Sequence, residues 1–435
     1  MLHSVVWKTA DARRRADALA RPSAREDAEA TVARILAAVR ERGEAAVREY
    51  AERFDGWAPA DGFRVPVEEM DAAERALSDT DRRAILDAAD AVRRFHAEQG
   101  YRAYSSQTWP GTTAERRVTP IETAGLYIPA GTAPLVSTVI MLAVPAQLAG
   151  VPRIAAIAPP RKGAGVEPTV LAAARLLGLD EVYAIGGAHG IAALGYGIAG
   201  LPKADKIFGP GNAWVAAAKA ALAREPGGPA VDLPAGPSEV MVIADDGADP
   251  ELVAADLLSQ AEHDVLAQVV LVAWSKPFVS LVRDAVERGL AGLPRAQVAR
   301  AALATSCAIL VSGDAEAAEV ADAYAPEHLI IQTGDPRALS DKVRNAGSIF
   351  LGPWTPEAAG DYAAGPNHAL PTAGAARVHG GVTVEMFQKT TTVLEMSPEG
   401  ARAMGPTVER LAALEGLDAH GRAMALRRRK SEAEE

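Results

Sequence analysis

The chain has 435 residues, 49% of them hydrophobic and 23% charged, with a formal net charge of -11. A length of that kind exceeds a single core and points to roughly two to three domains of a soluble, enzyme-like protein. The acidic balance argues against a nucleic-acid binder, and the single cysteine, Cys307, excludes an intramolecular disulfide or a cysteine metal cluster.

The N-terminus lacks a signal-peptide core, because Arg13 to Arg15 and Asp17 interrupt it. Residues 1–122 read mainly as helices. Ser23 and Glu26 form a capping-box pattern that opens a helix stopping at Gly43. A second helix spans 44–54 and ends near Gly56, and a third starts at Ser78, with Asp81 three residues on, and ends at Gly100. His96 lies in a charged helix end and reads as a surface residue. Residues 123–152 carry no charge, which raises the question of a membrane span. Pro129, Pro134, Pro145 and Pro152, with Gly125 and Gly131, break that run into a strand, a loop and a short helix. It reads as the core of an α/β unit, and the expected location is cytoplasmic.

From Gly125 onward, strand patterns at 126–128, 154–158, 182–185 and 206–208 alternate with helices at 138–149, 169–177, 190–199 and 213–223. Such alternation predicts βαβ units and a parallel sheet. A second series follows Pro234-Ala235-Gly236-Pro237, with strands at 240–243, 269–272, 309–311, 329–331 and 349–351. The fold class is therefore α/β, in two parallel-sheet halves divided near residues 230–237, with a helical tail at about 397–429. Cys307 falls in an apolar run and reads as a buried strand residue.

Several segments offer chemistry. The first is Ser259-Gln260-Ala261-Glu262-His263-Asp264, which closes a helical pattern beginning at Asp249 and puts Gln260 and His263 on one face. Taken alone, the pair reads as a helix end and a surface histidine, because a metal site needs about four ligands. Gly186-Gly187-Ala188-His189-Gly190 and Gly209-Pro210-Gly211-Asn212 each follow a strand and open a helix, where backbone can approach an anionic group. Neither is a dinucleotide fingerprint, and tight turns explain them about as well. Tyr324-Ala325-Pro326-Glu327-His328-Leu329 sets a carboxylate beside an imidazole, a pair able to divide acid–base work, or a surface turn. The Gly-rich loop with Asp361 and His368 suits binding. Asp361 and the tail residue His420 offer further oxygen and nitrogen ligands, a mixture that suits zinc, manganese or cobalt. Spacing does not establish that these residues converge.

Together these segments resemble the histidinol dehydrogenase family over nearly the whole chain. The matching stretches include Gly125-Leu126-Tyr127-Ile128-Pro129, Gly209-Pro210-Gly211-Asn212, Pro234-Ala235-Gly236-Pro237-Ser238-Glu239, Ala325-Pro326-Glu327-His328-Leu329 and Asn345-Ala346-Gly347-Ser348-Ile349. The 259–263 stretch, the loop 360–372 and the tail 415–420 also match. The resemblance implies one Zn2+ held by Gln260, His263 and Asp361, with His420 supplied by the partner of an obligate homodimer. It implies two NAD-dependent oxidations of an amino alcohol, L-histidinol, to the amino acid. Glu327 and His328 are the implied acid–base residues. Ser137, Ser238, His368 and Glu415 match substrate contacts, joined by the ligand and acid–base residues. Tyr127, His189 and Asn212 match NAD contacts. The implied organisation is a helical region at 1–122, an NAD-binding α/β half at 123–235, a zinc-bearing α/β half at 236–375 and a dimerisation tail at 376–435. Both halves would be Rossmann-like, with the tail exchanged between subunits.

His189 stands where the family usually has glutamine, Gly190 where it usually has alanine, and segment 377–382 departs from the usual pattern. Relatives that keep zinc and the catalytic pair but oxidise another small alcohol, such as a sulfopropanediol, are the alternative. No membrane or nucleic-acid partner is expected.

Overall fold

The computed structural model describes residues 2–22, 25–130, 134–234 and 236–433. The N-terminal part carries strands β1 (His3–Val6), β2 (Tyr104–Trp109) and β3 (Thr112–Pro120). Next come β4 (Thr123–Tyr127), β5 (Arg153–Ala158), β6 (Val182–Ala184), β7 (Lys206–Phe208) and β8 (Ala230–Val231). The later strands are β9 (Glu239–Ala244), β10 (Gln268–Ala273), β11 (Cys307–Leu310), β12 (His328–Gln332), β13 (Ser348–Leu351) and β14 (Gln388–Met396).

These strands build two parallel sheets and one antiparallel ribbon. The five-stranded sheet has order β6-β5-β4-β7-β8, and the six-stranded sheet has order β1-β11-β10-β9-β12-β13. The ribbon has order β14-β3-β2. Every residue of β9 and β10 is buried, as expected of strands covered on both faces by helices. Their sequences, Glu-Val-Met-Val-Ile-Ala and Gln-Val-Val-Leu-Val-Ala, are nearly continuous apolar runs for that reason. Helices Val136–Leu148 and Pro250–Ala261 are likewise buried along much of their length.

Each strand expected in the two α/β halves has a counterpart. The structure adds β1, β2, β3, β8 and β14. All six residues of β2 are exposed, so the segment carries no alternating apolar signal. β8 has two residues, too few to show a period. The stretch 1–122 is thus not helical throughout: β1 pairs in parallel with β11, so the first residues complete the edge of the second sheet.

His96 is buried, 1% exposed, and does not lie on the surface. It follows Ala89 and Val92 on the apolar face of helix Asp79–His96, and its Nδ1 lies 2.7 Å from Gln99 Oε1. The expected capping at Ser78 is present, with the hydroxyl accepting from the Asp81 N–H at 3.1 Å. The capping box at Ser23 and Glu26 lies outside the described side chains. The tail is two helices, Pro398–Glu415 and Asp418–Ala433, because Gly416 takes a left-handed φ of 70° between them. Among the described residues, no helix is long and apolar enough to cross a membrane.

In both sheets the strand order reverses beside the first strand of the α/β unit, at β4/β7 and at β9/β12. Open α/β sheets bind ligands at such crevices. The candidate residues of the two halves lie at opposite ends of their strands. In the five-stranded sheet the candidate residues follow the strand ends: Tyr127 closes β4, and Gly209 follows β7. In the six-stranded sheet they cluster at the opposite edge, where β12 begins with His328 and β9 begins with Glu239. The loop after residue 362 is tied to the first half by Asn367, whose Nδ2 donates to the Met141 carbonyl at 2.6 Å.

Candidate active site

Helix Pro250–Ala261 starts where the Asp249 carboxylate accepts from the Glu251 N–H at 2.9 Å, and proline fills its first turn. The register set there places Gln260 in the last turn. Gln260 is fully buried, and neither its Oε1 nor its Nε2 has a hydrogen-bond partner. An uncompensated buried amide is costly. Helix Glu357–Tyr362 lies beside it and carries Glu357 and Asp361, four residues apart on one face. His263, Glu357 and Asp361 each bring a ligand atom to within 4.8 Å of the others. These donors, with the orphaned amide of Gln260 among the buried polar atoms nearby in the chain, fit a small hard or borderline cation such as zinc.

Glu357 was not singled out from the sequence. Its signal was the Glu357/Asp361 spacing of four, which became readable only once 357–362 formed a helix. His420 lies outside the metal-holding group among the described residues. Glu415 and His420 are exposed, on either side of the break at Gly416.

The acid–base pair sits next to this group. Glu327 is 6% exposed and His328 4% exposed. The His328 Nδ1 lies 3.2 Å from the carbonyl oxygen of Glu239, 3.6 Å from Glu357 Oε1 and 3.7 Å from Glu327 Oε2. A carbonyl oxygen only accepts, so Nδ1 carries the proton and Nε2 is the titrating atom. Nε2 is buried without a hydrogen-bond partner and stands 3.7 Å from Asp361 Oδ1. Glu327 Oε2 accepts from the Glu239 N–H at 2.9 Å. Burial pushes the Glu327 carboxyl up to about 8, against the smaller lowering effects of His328 and of the Glu239 N–H. Burial alone would lower His328, but the carboxylates of Glu357, Glu327 and Asp361 outweigh it and raise the imidazole. A cation held at Asp361 would counter part of that pull.

Thr138 and the Gly-rich loop close another side. His368 Nδ1 donates to the Asp361 carbonyl at 2.9 Å, and its Nε2 lies 3.3 Å from Thr138 Oγ1. Ser137 is buried at the start of helix Val136–Leu148, and Ser238 is half-buried just before β9.

The candidate cofactor residues gather at the end of the five-stranded sheet. Tyr127 is buried, its hydroxyl pushed up to about 12 by burial and bonded to the Gly187 backbone. His189 is buried in the first turn of helix Gly187–Tyr196. Its Nε2 lies 3.1 Å from Asp55 Oδ2, which also accepts from the Gly186 N–H at 3.2 Å. Asp55 ends the π-helical turn Ala51–Asp55, and sequence patterns gave no hint of this pairing. Asn212 caps helix Ala213–Ala223 with its Oδ1, which accepts from the N–H groups of Trp214 and Val215.

The Gly209 loop between β7 and that helix is braced from below. Asp232 Oδ2 accepts from the Gly209 N–H at 2.7 Å, while Lys219 Nζ donates to the Gly209 carbonyl at 2.8 Å and to Asp232 Oδ1 at 2.5 Å. Gly209 has φ +119°, and an added Cβ would meet the Tyr127 carbonyl oxygen at 2.2 Å. Only glycine fits there.

Cys307 is in β11, 1% exposed, with Sγ donating to the Ala18 carbonyl at 3.2 Å. Burial pushes the thiol up to about 12, so it is held as the inert protonated form.

Comparison with known proteins gives the family. The histidinol dehydrogenase family model matches residues 19–428. A histidinol dehydrogenase of Vibrio parahaemolyticus is 45% identical over 428 residues, covering 98% of each chain. One of Xanthomonas axonopodis pv. citri is 48% identical over 423 residues, covering 97% of this chain and 98% of the other. The crystal structure of histidinol dehydrogenase from Elizabethkingia anophelis superposes with a TM-score of 0.92 at 39% identity, over 99% of this chain and 98% of that one. On this full-length agreement in sequence and fold, the chain belongs to the histidinol dehydrogenase family.

Proposed function

We propose that the chain oxidises L-histidinol to L-histidine through histidinal, with Glu327 and His328 as its acid–base residues. The observation that carries the reading is the buried Glu327–His328 pair standing against the group His263, Glu357 and Asp361. Membership of the histidinol dehydrogenase family supports it.

Gln260, His263 and Asp361 would hold the zinc, with His420 of a second copy completing the set. When bound, the zinc supplies a template that fixes the substrate's nitrogen atoms. Tyr127, His189 and Asn212 would contact the NAD, the acceptor of the hydride released at each oxidation. His328 takes the alcohol proton on Nε2, because Nδ1 is committed to the Glu239 carbonyl. Glu327, held through one oxygen by the Glu239 N–H, then takes a proton from water attacking the aldehyde. The His328 imidazolium returns its proton to the aldehyde oxygen as the hydrate forms, and so is free to act again as base when the hydrate gives up the second hydride. The inert Cys307 thiol fits a hydrate route, which needs no thioester. Ser137, Ser238, His368 and Glu415 would contact substrate, Glu415 from the second copy.

The reading places an NAD-binding half at 123–235, a zinc-bearing half at 236–375 and a dimerisation tail at 376–435, in a cytoplasmic homodimer. Exposed Leu411, Leu414 and Leu417 around the Gly416 break support the dimer, since an exposed apolar run there calls for a partner surface.

The test is turnover of L-histidinol with NAD by the zinc-loaded protein. Two NADH should form per histidine, and absence of NADH would overturn the reading. The same assay with a panel of small alcohols tests the sulfopropanediol alternative.

A further inference from the structure

We propose that the ion pair between Arg21 and Glu239 is the positioning device for the acid–base residues, acting through the backbone of Glu239. The inference rests on the proposed roles of Glu327 and His328. Both side chains hang on one residue. The Glu239 N–H donates to Glu327 Oε2 at 2.9 Å, and the Glu239 carbonyl accepts from His328 Nδ1 at 3.2 Å. One bond leaves Glu327 Oε1 as its free oxygen. The other fixes the tautomer that leaves Nε2 able to take a proton.

Glu239 is in turn clamped through its side chain. Arg21, from the segment between helices Ala12–Ala18 and Arg25–Arg42, grips both carboxylate oxygens, with Nε to Oε1 at 2.6 Å and Nη2 to Oε2 at 2.8 Å. This two-pronged geometry fixes direction as well as distance. The Ala373 N–H donates to the same Oε1 at 2.8 Å. The Glu239 side chain is only 4% exposed, so without Arg21 it would be a buried, nearly unpaired charge.

Arg21 also reaches the chain just ahead of the acid–base pair. Its Nη2 donates to the Tyr324 carbonyl at 2.7 Å, and its guanidinium lies 3.9 Å from the Tyr324 ring centroid. Ala325 follows with φ 52°, and Ala373 has φ 56°. Both are non-glycine residues in the left-handed region, where backbone conformation is strained and needs support. Both adjoin groups that the Arg21–Glu239 pair holds. Tyr324 is further tied by its hydroxyl, which donates to Gln268 Oε1 at 2.7 Å, while Gln268 Nε2 donates to the Ala20 carbonyl at 2.7 Å. Arg21 is therefore locked beside the residue that precedes it. No atom of this pair touches the metal-holding group in the contacts above, so its effect falls on turnover and not on metal affinity.

The test uses the full-length, zinc-loaded protein with the variants Arg21→Met, Arg21→Lys, Glu239→Gln and Glu327→Gln. Arg21→Met should lower kcat roughly 10- to 100-fold in both the histidinol and the histidinal reactions, as expected of misplaced catalytic groups. Zinc per chain should stay within about threefold, because its ligands are untouched, and KM for histidinol should change less than kcat. Arg21→Lys, which keeps the charge and loses the two-pronged grip, should restore part of the loss. An Arg21→Met kcat within about twofold of the parent, or a loss that follows zinc content or KM, overturns the proposal. If Arg21→Met does not fold, Glu239→Gln decides on the same criteria, since it keeps the size and the bond to Ala373. Glu327→Gln separates the two readings. Full histidinal turnover in that variant removes the catalytic assignment and this inference with it. A slow Glu327→Gln beside a normal Arg21→Met removes this inference alone.

Discussion

Replacing Gln260 by leucine should have opposite effects on the metal-free and metal-loaded protein. In the structure the Gln260 side chain is fully buried, and both amide atoms lack hydrogen-bond partners. Leaving a buried polar group unsatisfied costs about 1–3 kcal/mol. Leucine has a similar volume and no polar atom, so Gln260→Leu should stabilise the metal-free chain by roughly 2 kcal/mol. With metal the order reverses. The parent protein gains the linkage energy of binding, about 4 kcal/mol at free zinc near a thousand times Kd, and the variant gains little of it. Urea unfolding of both proteins, with chelator and with zinc, gives the two differences, and metal analysis gives zinc per chain. A Gln260→Leu variant that is less stable than the parent in chelator, or that keeps a full zinc complement, would refute the assignment of Gln260 as a metal ligand.

Other outcomes follow from the same geometry. Glu327→Gln should slow oxidation of histidinal more than that of histidinol, measured with each as starting substrate; equal losses would contradict its role toward water. His263→Asn should lower metal content, and normal zinc in that variant would strike His263 from the ligand set. Lys219→Met should cost about 3–5 kcal/mol of stability, because it leaves the Asp232 carboxylate buried with only the Gly209 N–H; a loss under 1 kcal/mol by urea unfolding would show that the brace matters little. In metal-free protein, burial pushes Glu327 up to about 8 from 4.5, so the folded chain retains a proton that the unfolded chain releases. Its contribution is therefore full at low pH and is lost as pH rises from about 4.5 through about 8. Unfolding free energy should fall over that window, less steeply in Glu327→Gln, and an unchanged slope would argue that Glu327 does not carry the proton.

Much of the α/β core was legible because buried parallel strands must be apolar along their whole length, as β9 and β10 are. The exposed ribbon strand β2 and the edge strand β1 carry no such pattern, since their partners and not their composition make them strands. His96 shows the same limit from the other side: charge nearby suggested solvent, but the helical phase decided for the core. In the site, Gln260, His263, Glu327, His328 and Asp361 could be named from local segments and their resemblance to a family. Glu357 required the helix that brings it level with Asp361. Arg21 and Asp55 required tertiary structure outright. Each lies in the N-terminal region, more than a hundred residues from its partner, and long-range polar pairs leave no periodicity in a sequence.

The pairing of β1 with β11 gives the chain an order of assembly. Strand β1 waits for its neighbour β11, made roughly three hundred residues later, or about 15–60 s at ordinary rates of synthesis. Arg21 waits nearly as long for Tyr324. The second half therefore cannot be excised as a self-sufficient piece by cutting between the two sheets, because it would lose both a strand and the guanidinium beneath its acid–base residues. The polypeptide is closed like a belt, with β1 and Arg21 both fastened into segments made about three hundred residues later.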